Sequence, residues 1–187
     1  MSRKDTKYAE KRAEIVTTLA AHFLEAGLGD IGLRRLAEVA DTSDRMLLYY
    51  FENKDELVTA VLSEIGRGLA ETLGKIVGPS PLAPDRALAL LWKTLKRDAF
   101  ANQLRIWLDL SSQASRGDAL FGAIVSQMAT DWIAWLSAML DVPKADKAPL
   151  AVLMMGAVDG QLVLFPTDPS KGDAAIARLV KMLAGRR

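Results

Sequence analysis

Arg34, Arg35, Ser43, Asp44, Arg45, Met46, Tyr49, Tyr50 and Lys54 crowd into one short stretch of this 187-residue chain. Their side chains share a chemistry. A guanidinium donates in a fork that fits guanine O6 and N7, a carboxylate accepts from cytosine N4, and a methionine can touch a thymine methyl. Hydroxyls and ammonium groups hold phosphates, which fix position without carrying sequence information. Arg45, Asp44 and Met46 are therefore candidates for base edges. Arg34, Tyr49, Tyr50 and Lys54 are candidates for phosphates, with Arg35 and Ser43 beside them.

Elements able to carry this set are legible around it. Leu33, Leu36, Ala37 and Ala40 fall at i, i+3, i+4 and i+7, which gives a short helix one apolar face and leaves Arg34, Arg35 and Glu38 outward. Asp41-Thr42-Ser43 interrupts it. Ser43 is an N-cap, since its hydroxyl can accept from an unpaired N–H of the next turn. Leu47, Leu48 and Phe51 then supply the buried side of a second helix, and Asp44, Arg45, Met46 and Tyr49 face out. Two short helices around a tight turn make a helix-turn-helix.

This stretch resembles the N-terminal domain of the TetR family of transcriptional regulators. Phe23, Glu25 and Gly27 fit the end of that family's first helix, and Arg34, Leu36 and Ala37 fit its second. Ser43, Leu47, Phe51, Lys54 and Leu57 fit the recognition helix and the start of the fourth. The chain departs from the family pattern at Asp41, where Gly is usual in the turn, and at Arg45, Met46 and Leu48, the last of which replaces a phosphate-binding tyrosine. Asp41 can still visit a left-handed backbone. The match covers about the first third of the chain, and beyond it the likeness is one of helix layout. It implies an all-α fold of about nine helices. Residues 1–55 would form a helix-turn-helix DNA-binding domain, continued by the fourth helix into a ligand-binding and dimerisation domain at 56–187.

Composition excludes several other classes. With no cysteine and one histidine, His22, the chain has too few ligands for an ordinary zinc or haem site, and no disulfide framework, which suits a reducing cytoplasm. No cofactor is expected. There is no apolar run of about 18 residues and no signal peptide, so neither a membrane span nor export is expected. Net charge is only +1, so basic residues must act by placement. Arg3, Lys4, Lys7, Lys11 and Arg12 make an arm that could lie along phosphates, or a solvated terminus. Catalytic constellations and a phosphate-binding glycine loop are missing, so no enzyme is read here.

Strand signals are absent and apolar residues recur with a period near 3.6 between breakers. The first helix is expected over 8–26. Another should open at Asn53, with Glu56 as a capping partner, and carry the stripe Leu57, Val61, Ile65, Leu69, Leu73 and Ile76 to a stop at Gly78. At about 24 residues it would be about 36 Å long. Later helices are expected over 84–98, 100–115, 118–140, 148–165 and 171–184. No flexible linker separates the DNA-reading part from the helices beyond it, so a push on one end of the fourth helix can move the other.

These later helices hold all four tryptophans and several methionines. Trp92, Phe100, Trp107, Phe121, Met128, Trp132 and Met155 are either ordinary core or the lining of a small-molecule cavity, with Asp159 as an orienting carboxylate. Gly156 and Gly160 lie four apart on one helix, where each costs about 0.5–1 kcal/mol relative to Ala. Close approach of another helix accounts for them, from the same chain or from a second copy. With Ile176, Leu179, Val180 and Leu183 they mark the pair of helices through which TetR-like proteins dimerise.

The combined expectation is a cytoplasmic homodimeric regulator, a repressor more readily than an activator, released from a near-palindromic double-stranded DNA operator by an unidentified small-molecule effector. Two other readings stay open: a helical small-molecule-binding protein or enzyme with a vestigial helix-turn-helix, and a DNA-bound regulator controlled by a protein partner.

Overall fold

The computed structural model describes residues 3–29 and 31–185, with Arg3 and Lys4 described in backbone only. Nine α-helices occur among the described residues: α1 (Arg3–Ala26), α2 (Leu33–Val39), α3 (Asp44–Tyr50), α4 (Lys54–Val77), α5 (Pro84–Leu95), α6 (Ala101–Ser115), α7 (Ala119–Met139), α8 (Lys144–Leu164) and α9 (Asp173–Ala184). The only sheet-like pairing among them is a single bridge, in which Leu82 N–H donates to Met139 O and Asp141 N–H to Leu82 O, both at 2.8 Å. The all-α expectation holds.

The chain forms two compact units, Met1–Leu69 with Arg105–Val125, and Ala70–Leu104 with Ser126–Arg187. The division falls inside α4, α6 and α7. The first unit buries Ile15, Leu19 and Phe23 of α1, Leu36 and Ala37 of α2, Leu47 of α3, and Leu57, Val58, Val61 and Leu62 of α4. The second is built around Ala87, Leu88, Leu91, Trp92, Leu136, Leu140, Met154, Val158, Leu162 and Ile176.

Helix ends in the first unit are closed group by group. Gly27 has φ +84 and its N–H donates to Phe23 O at 2.8 Å, a left-handed cap for α1. Two further carbonyls of that end, Leu24 O and Glu25 O, accept from the Arg105 guanidinium at 2.8 and 3.0 Å. α2 ends in a Schellman turn: Thr42 N–H donates to Ala37 O and Asp41 N–H to Glu38 O, with Asp41 at φ +48. The turn thus takes the left-handed residue its geometry needs from an aspartate instead of a glycine. Ser43 caps α3 by accepting from Met46 N–H at 3.3 Å.

Several expectations are corrected. Leu48 is 47% exposed, so the buried side of α3 is Leu47 alone, with Phe51 just beyond the helix. Arg12 does not belong to a phosphate-tracking arm. Its guanidinium sits over the Phe51 ring at 4.6 Å and donates to Glu56 Oε1 at 2.7 Å. Lys11 pairs with Glu14, while the Arg3 and Lys4 side chains lie outside the described residues. α8 begins at Lys144, with Pro149 inside it. The proline removes one N–H donor near the helix start, and the residue that loses its partner, Ala145, is exposed, so water can satisfy its carbonyl. α5 stops at Leu95, and short 3-10 turns at Asp98–Phe100 and Pro169–Gly172 precede α6 and α9. Against the expectation of no apolar run of about 18 residues, α7 and α8 are long and apolar enough to cross a membrane by length and composition. For α8 the reason is that both sides are apolar: Met154 and Val158 are buried, and Val152, Leu153, Val163 and Leu164 are exposed.

Glu56 ties three elements together. Asn53 Oδ1 accepts from Glu56 N–H at 2.8 Å as the cap of α4, and the Glu56 carboxylate in turn accepts from Glu52 N–H and from Arg12. The Glu52 N–H first, and Arg12 second, hold this carboxyl below its ordinary value of 4.5. A carboxylate with a depressed folded-state pKa stabilises the fold above its unfolded pKa, and that stabilisation is lost as pH falls through the folded value. Glu56→Gln is therefore expected to lower the unfolding temperature at pH 7, and the gap to the wild type to close below about pH 4.5. Thermal unfolding monitored by circular dichroism at neutral and acid pH checks this.

Candidate nucleic-acid interface

Burying Leu47, which is fully enclosed, decides which way the rest of α3 faces. In a helix only seven residues long, one buried position leaves the opposite side to solvent. Arg45 and Tyr49 lie opposite Leu47, and Asp44, Arg45, Met46 and Tyr49 are all exposed, Met46 at 39% and Tyr49 at 56%. Neither Asp44 nor Arg45 has a side-chain hydrogen bond or ion pair among the described residues. The Arg45 fork is thus available to an acceptor outside the protein.

Around this face lie the phosphate candidates. Arg34 and Arg35 of α2 share the Glu38 carboxylate, at 3.5 and 3.4 Å, and Arg34 keeps 89% of its side chain exposed. Such exposed pairs are worth about 0–1 kcal/mol, so either arginine can exchange its partner for a phosphate at little cost. Lys54 is the first residue of α4, where its ammonium adds to the positive end of the helix. Tyr50 is half-buried and Tyr49 projects. Ser43 is spent on the cap of α3, so it acts by fixing the helix start.

Sequence reasoning missed Tyr8. Its hydroxyl donates to Tyr49 O and Tyr50 O, and its ring packs against both tyrosines. The contact spans more than forty residues, and only the spacing of Tyr8 four positions before Arg12 hints that the two share a face of α1.

In the second unit the ligand candidates separate. Trp92 is buried in the core, donates from Nε1 to Asp173 Oδ1 at 2.7 Å, and its ring closes on Gly172, where a Cβ would meet it at 3.0 Å. Lys96 completes that cluster with bonds of 2.7 and 2.8 Å to both Asp173 oxygens, and Lys96, then Trp92, hold the Asp173 carboxyl below its usual range. Trp92 is accordingly a structural residue joining α5 to the start of α9. Phe100 is buried, Met128, Trp132 and Asp159 are half-buried, and Met155 packs at the core edge. Trp132 meets Trp135 edge to face at 5.4 Å. Trp107 and Phe121 belong to the first unit. Two buried polar atoms the sequence did not single out, Gln103 Oε1 and Ser137 Oγ, have no hydrogen-bond partner among the described residues.

The dimer candidates also divide. Ile176 and Leu183 point into the unit's own core, whereas Leu179 and Val180 are half-buried at its edge. A Cβ at Gly156 or Gly160 would meet nothing within 4 Å, so these glycines do not admit a neighbouring helix of the same chain. They lie on α8 among the exposed Val152, Leu153, Val163 and Leu164.

The family description "Bacterial regulatory proteins, tetR family" matches residues 15–61, which take in most of α1, all of α2 and α3, and the start of α4. No curated protein sequence matches the chain. Solved structures do match its fold. A TetR-family transcriptional regulator from Cytophaga hutchinsonii aligns with a TM-score of 0.75 at 18% identity, covering 96% of each chain. A TetR-family regulator from Rhodococcus sp. aligns at 0.70 and 19%, covering 94% of this chain and 98% of that one. The multidrug binding protein EbrR, complexed with proflavin, aligns at 0.65 and 19%, covering 92% of this chain and 99% of that one. Residues 15–61 thus match the TetR family of bacterial regulatory proteins, and the chain that carries them has the fold of solved TetR-family regulators over almost its whole length.

Proposed function

We propose that this protein is a cytoplasmic, homodimeric DNA-binding transcriptional regulator, a repressor that a small molecule releases from a near-palindromic operator. One observation carries the reading: α3 buries Leu47 and offers Asp44, Arg45 and Met46 outward, with the Arg45 guanidinium free of protein partners among the described residues. Two such helices in a symmetric dimer would enter successive major grooves about 34–36 Å apart.

The exposed strip of α8 supports the dimer. Val152, Leu153, Gly156, Gly160, Val163 and Leu164 repeat at helical spacing, and Met182 of α9 is likewise exposed. A second copy packed there would account for glycines that nothing in their own chain approaches. Leu179 and Val180 would contribute from the edge.

Effector binding is assigned to the helical part beyond residue 55, among Phe100, Met128, Trp132 and Met155, with Gln103, Ser137 and Asp159 as orienting groups. Buried polar atoms without partners are costly, and a ligand or ordered water at Gln103 Oε1 and Ser137 Oγ would remove the cost. EbrR, a protein of the same fold, holds proflavin. α4 runs unbroken from one compact unit into the other, which supports coupling between effector and operator. The effector would then lower operator affinity by its differential binding to the two states.

Arg45→Ala is expected to weaken binding to a selected operator by about 1–3 kcal/mol and to relax base preference at one position in each half-site, as mobility-shift titration against single-base operator variants would show. Unchanged affinity and preference would remove Arg45 from base reading. Gly160→Leu is expected to shift the 20.3 kDa chain from dimer to monomer in sedimentation while keeping its helix content. A wild-type-like dimer would place the interface elsewhere.

A further inference from the structure

The C-terminal end of α3 has an unusual problem. A helix leaves its last carbonyls without internal partners, and a left-handed residue just beyond commonly brings N–H groups back to them. Here the residue beyond is Phe51, extended at φ -131 and ψ 135, and its N–H reaches only Leu47 O. Leu48 O, Tyr49 O and Tyr50 O are left over, because Glu52 N–H is given to Glu56. Tyr8 serves the last two. Its hydroxyl, from α1, lies 3.3 Å from Tyr49 O and 3.1 Å from Tyr50 O and donates to both.

The rings reinforce this cap. Tyr8 meets Tyr49 edge-on at 5.6 Å and Tyr50 at 5.0 Å, and Tyr49 meets Tyr50 at 5.0 Å and 82°, so each ring touches the other two. One turn further along α1, Arg12 covers Phe51 and holds Glu56. Two residues four apart on one helix thus grip the recognition helix and the turn after it. Tyr8 is still 37% exposed and Tyr49 56%, which leaves the triad at the surface beside the base-reading face.

We propose that Tyr8 is a positioning residue for DNA reading. By capping α3 it sets the tilt of that helix and the direction of Tyr49 and Tyr50, and so the place where Arg45 meets a base edge. The role rests on the DNA-reading function proposed above. A helix of seven residues is about 10 Å long, and its start is held by the Ser43 cap, so a tilt of about 10° about that end would carry Tyr49 and Tyr50 by about 2 Å and the Arg45 guanidinium, which reaches several ångströms from the helix axis, by about 1 Å. A shift of about 1 Å is larger than the tolerance of a bidentate hydrogen bond.

Tyr8→Phe isolates the idea, because it keeps the three rings and removes only the donor. On an operator selected with the wild type, the variant is expected to lose about three- to tenfold in affinity, the usual worth of one hydrogen bond. It is also expected to discriminate less between that operator and one altered at the Arg45 base pair, while the slope of affinity against salt stays unchanged, since a neutral hydroxyl releases no counterion. Tyr8→Ala should show a larger loss in the same direction. A Tyr8→Phe protein equal to wild type in affinity and discrimination overturns the proposal. So does a uniform loss on all sequences, either matched by an equal loss of thermal stability, which makes Tyr8 a fold residue, or accompanied by a shallower salt slope, which makes it a phosphate contact. A wild-type protein that selects no sequence overturns the DNA reading itself, and is distinguished by failing before any variant is compared.

Discussion

Seven residues cannot hold a helix in water by themselves, because nucleation fixes several dihedrals before the first hydrogen bond returns anything. α3 is that short, and every side chain proposed to meet a base edge stands on it. The rest of the first unit can be understood as the means of holding it. The left-handed Asp41 delivers the chain at the right angle, Ser43 closes its start, and Leu47 anchors its middle. Tyr8 and Arg12 secure its end and the step into α4.

Charge obeys the same economy. The chain is nearly neutral, so binding to a polyanion depends on where basic groups stand and on which of them are already committed. Arg12 is committed to Glu56 and Arg105 to the end of α1, and both serve the fold. Arg34, Arg35, Arg45 and Lys54 hold weak or no partners and lie on or beside α3. Two classes of basic residue with similar side chains are therefore distinguished by their neighbours alone.

Much of the helix-turn-helix was legible because its determinants are local. The i, i+3, i+4, i+7 pattern of Leu33 to Ala40, the Ser43 cap and the left-handed tolerance of Asp41 each depend on residues within one or two turns. Failures came where a second element decides. Leu48 looked buried because it is a leucine, yet a two-turn helix with Leu47 pinned has no room for its neighbour on the same side. Arg12 looked like part of a basic arm until α4 placed Glu56 beside it. Trp92 looked like a ligand contact, and its partner Asp173 lies 81 residues away. Ile176 and Leu183 shared a strip with Leu179 and Val180 in sequence, but α9 turns them toward its own core. α8 read as core or interface without distinction, since apolar residues line both its sides.

Sequence-selective DNA binding by the intact protein is the central claim. Selection of duplexes from a random pool by the wild-type chain, with titration of the enriched site over a range of salt, is the direct test. The expected product is a pair of inverted half-sites about one helical turn apart, centre to centre, bound with an affinity that falls linearly with salt on logarithmic axes. A pool that stays random after repeated selection, or binding equal on all duplexes, would contradict it.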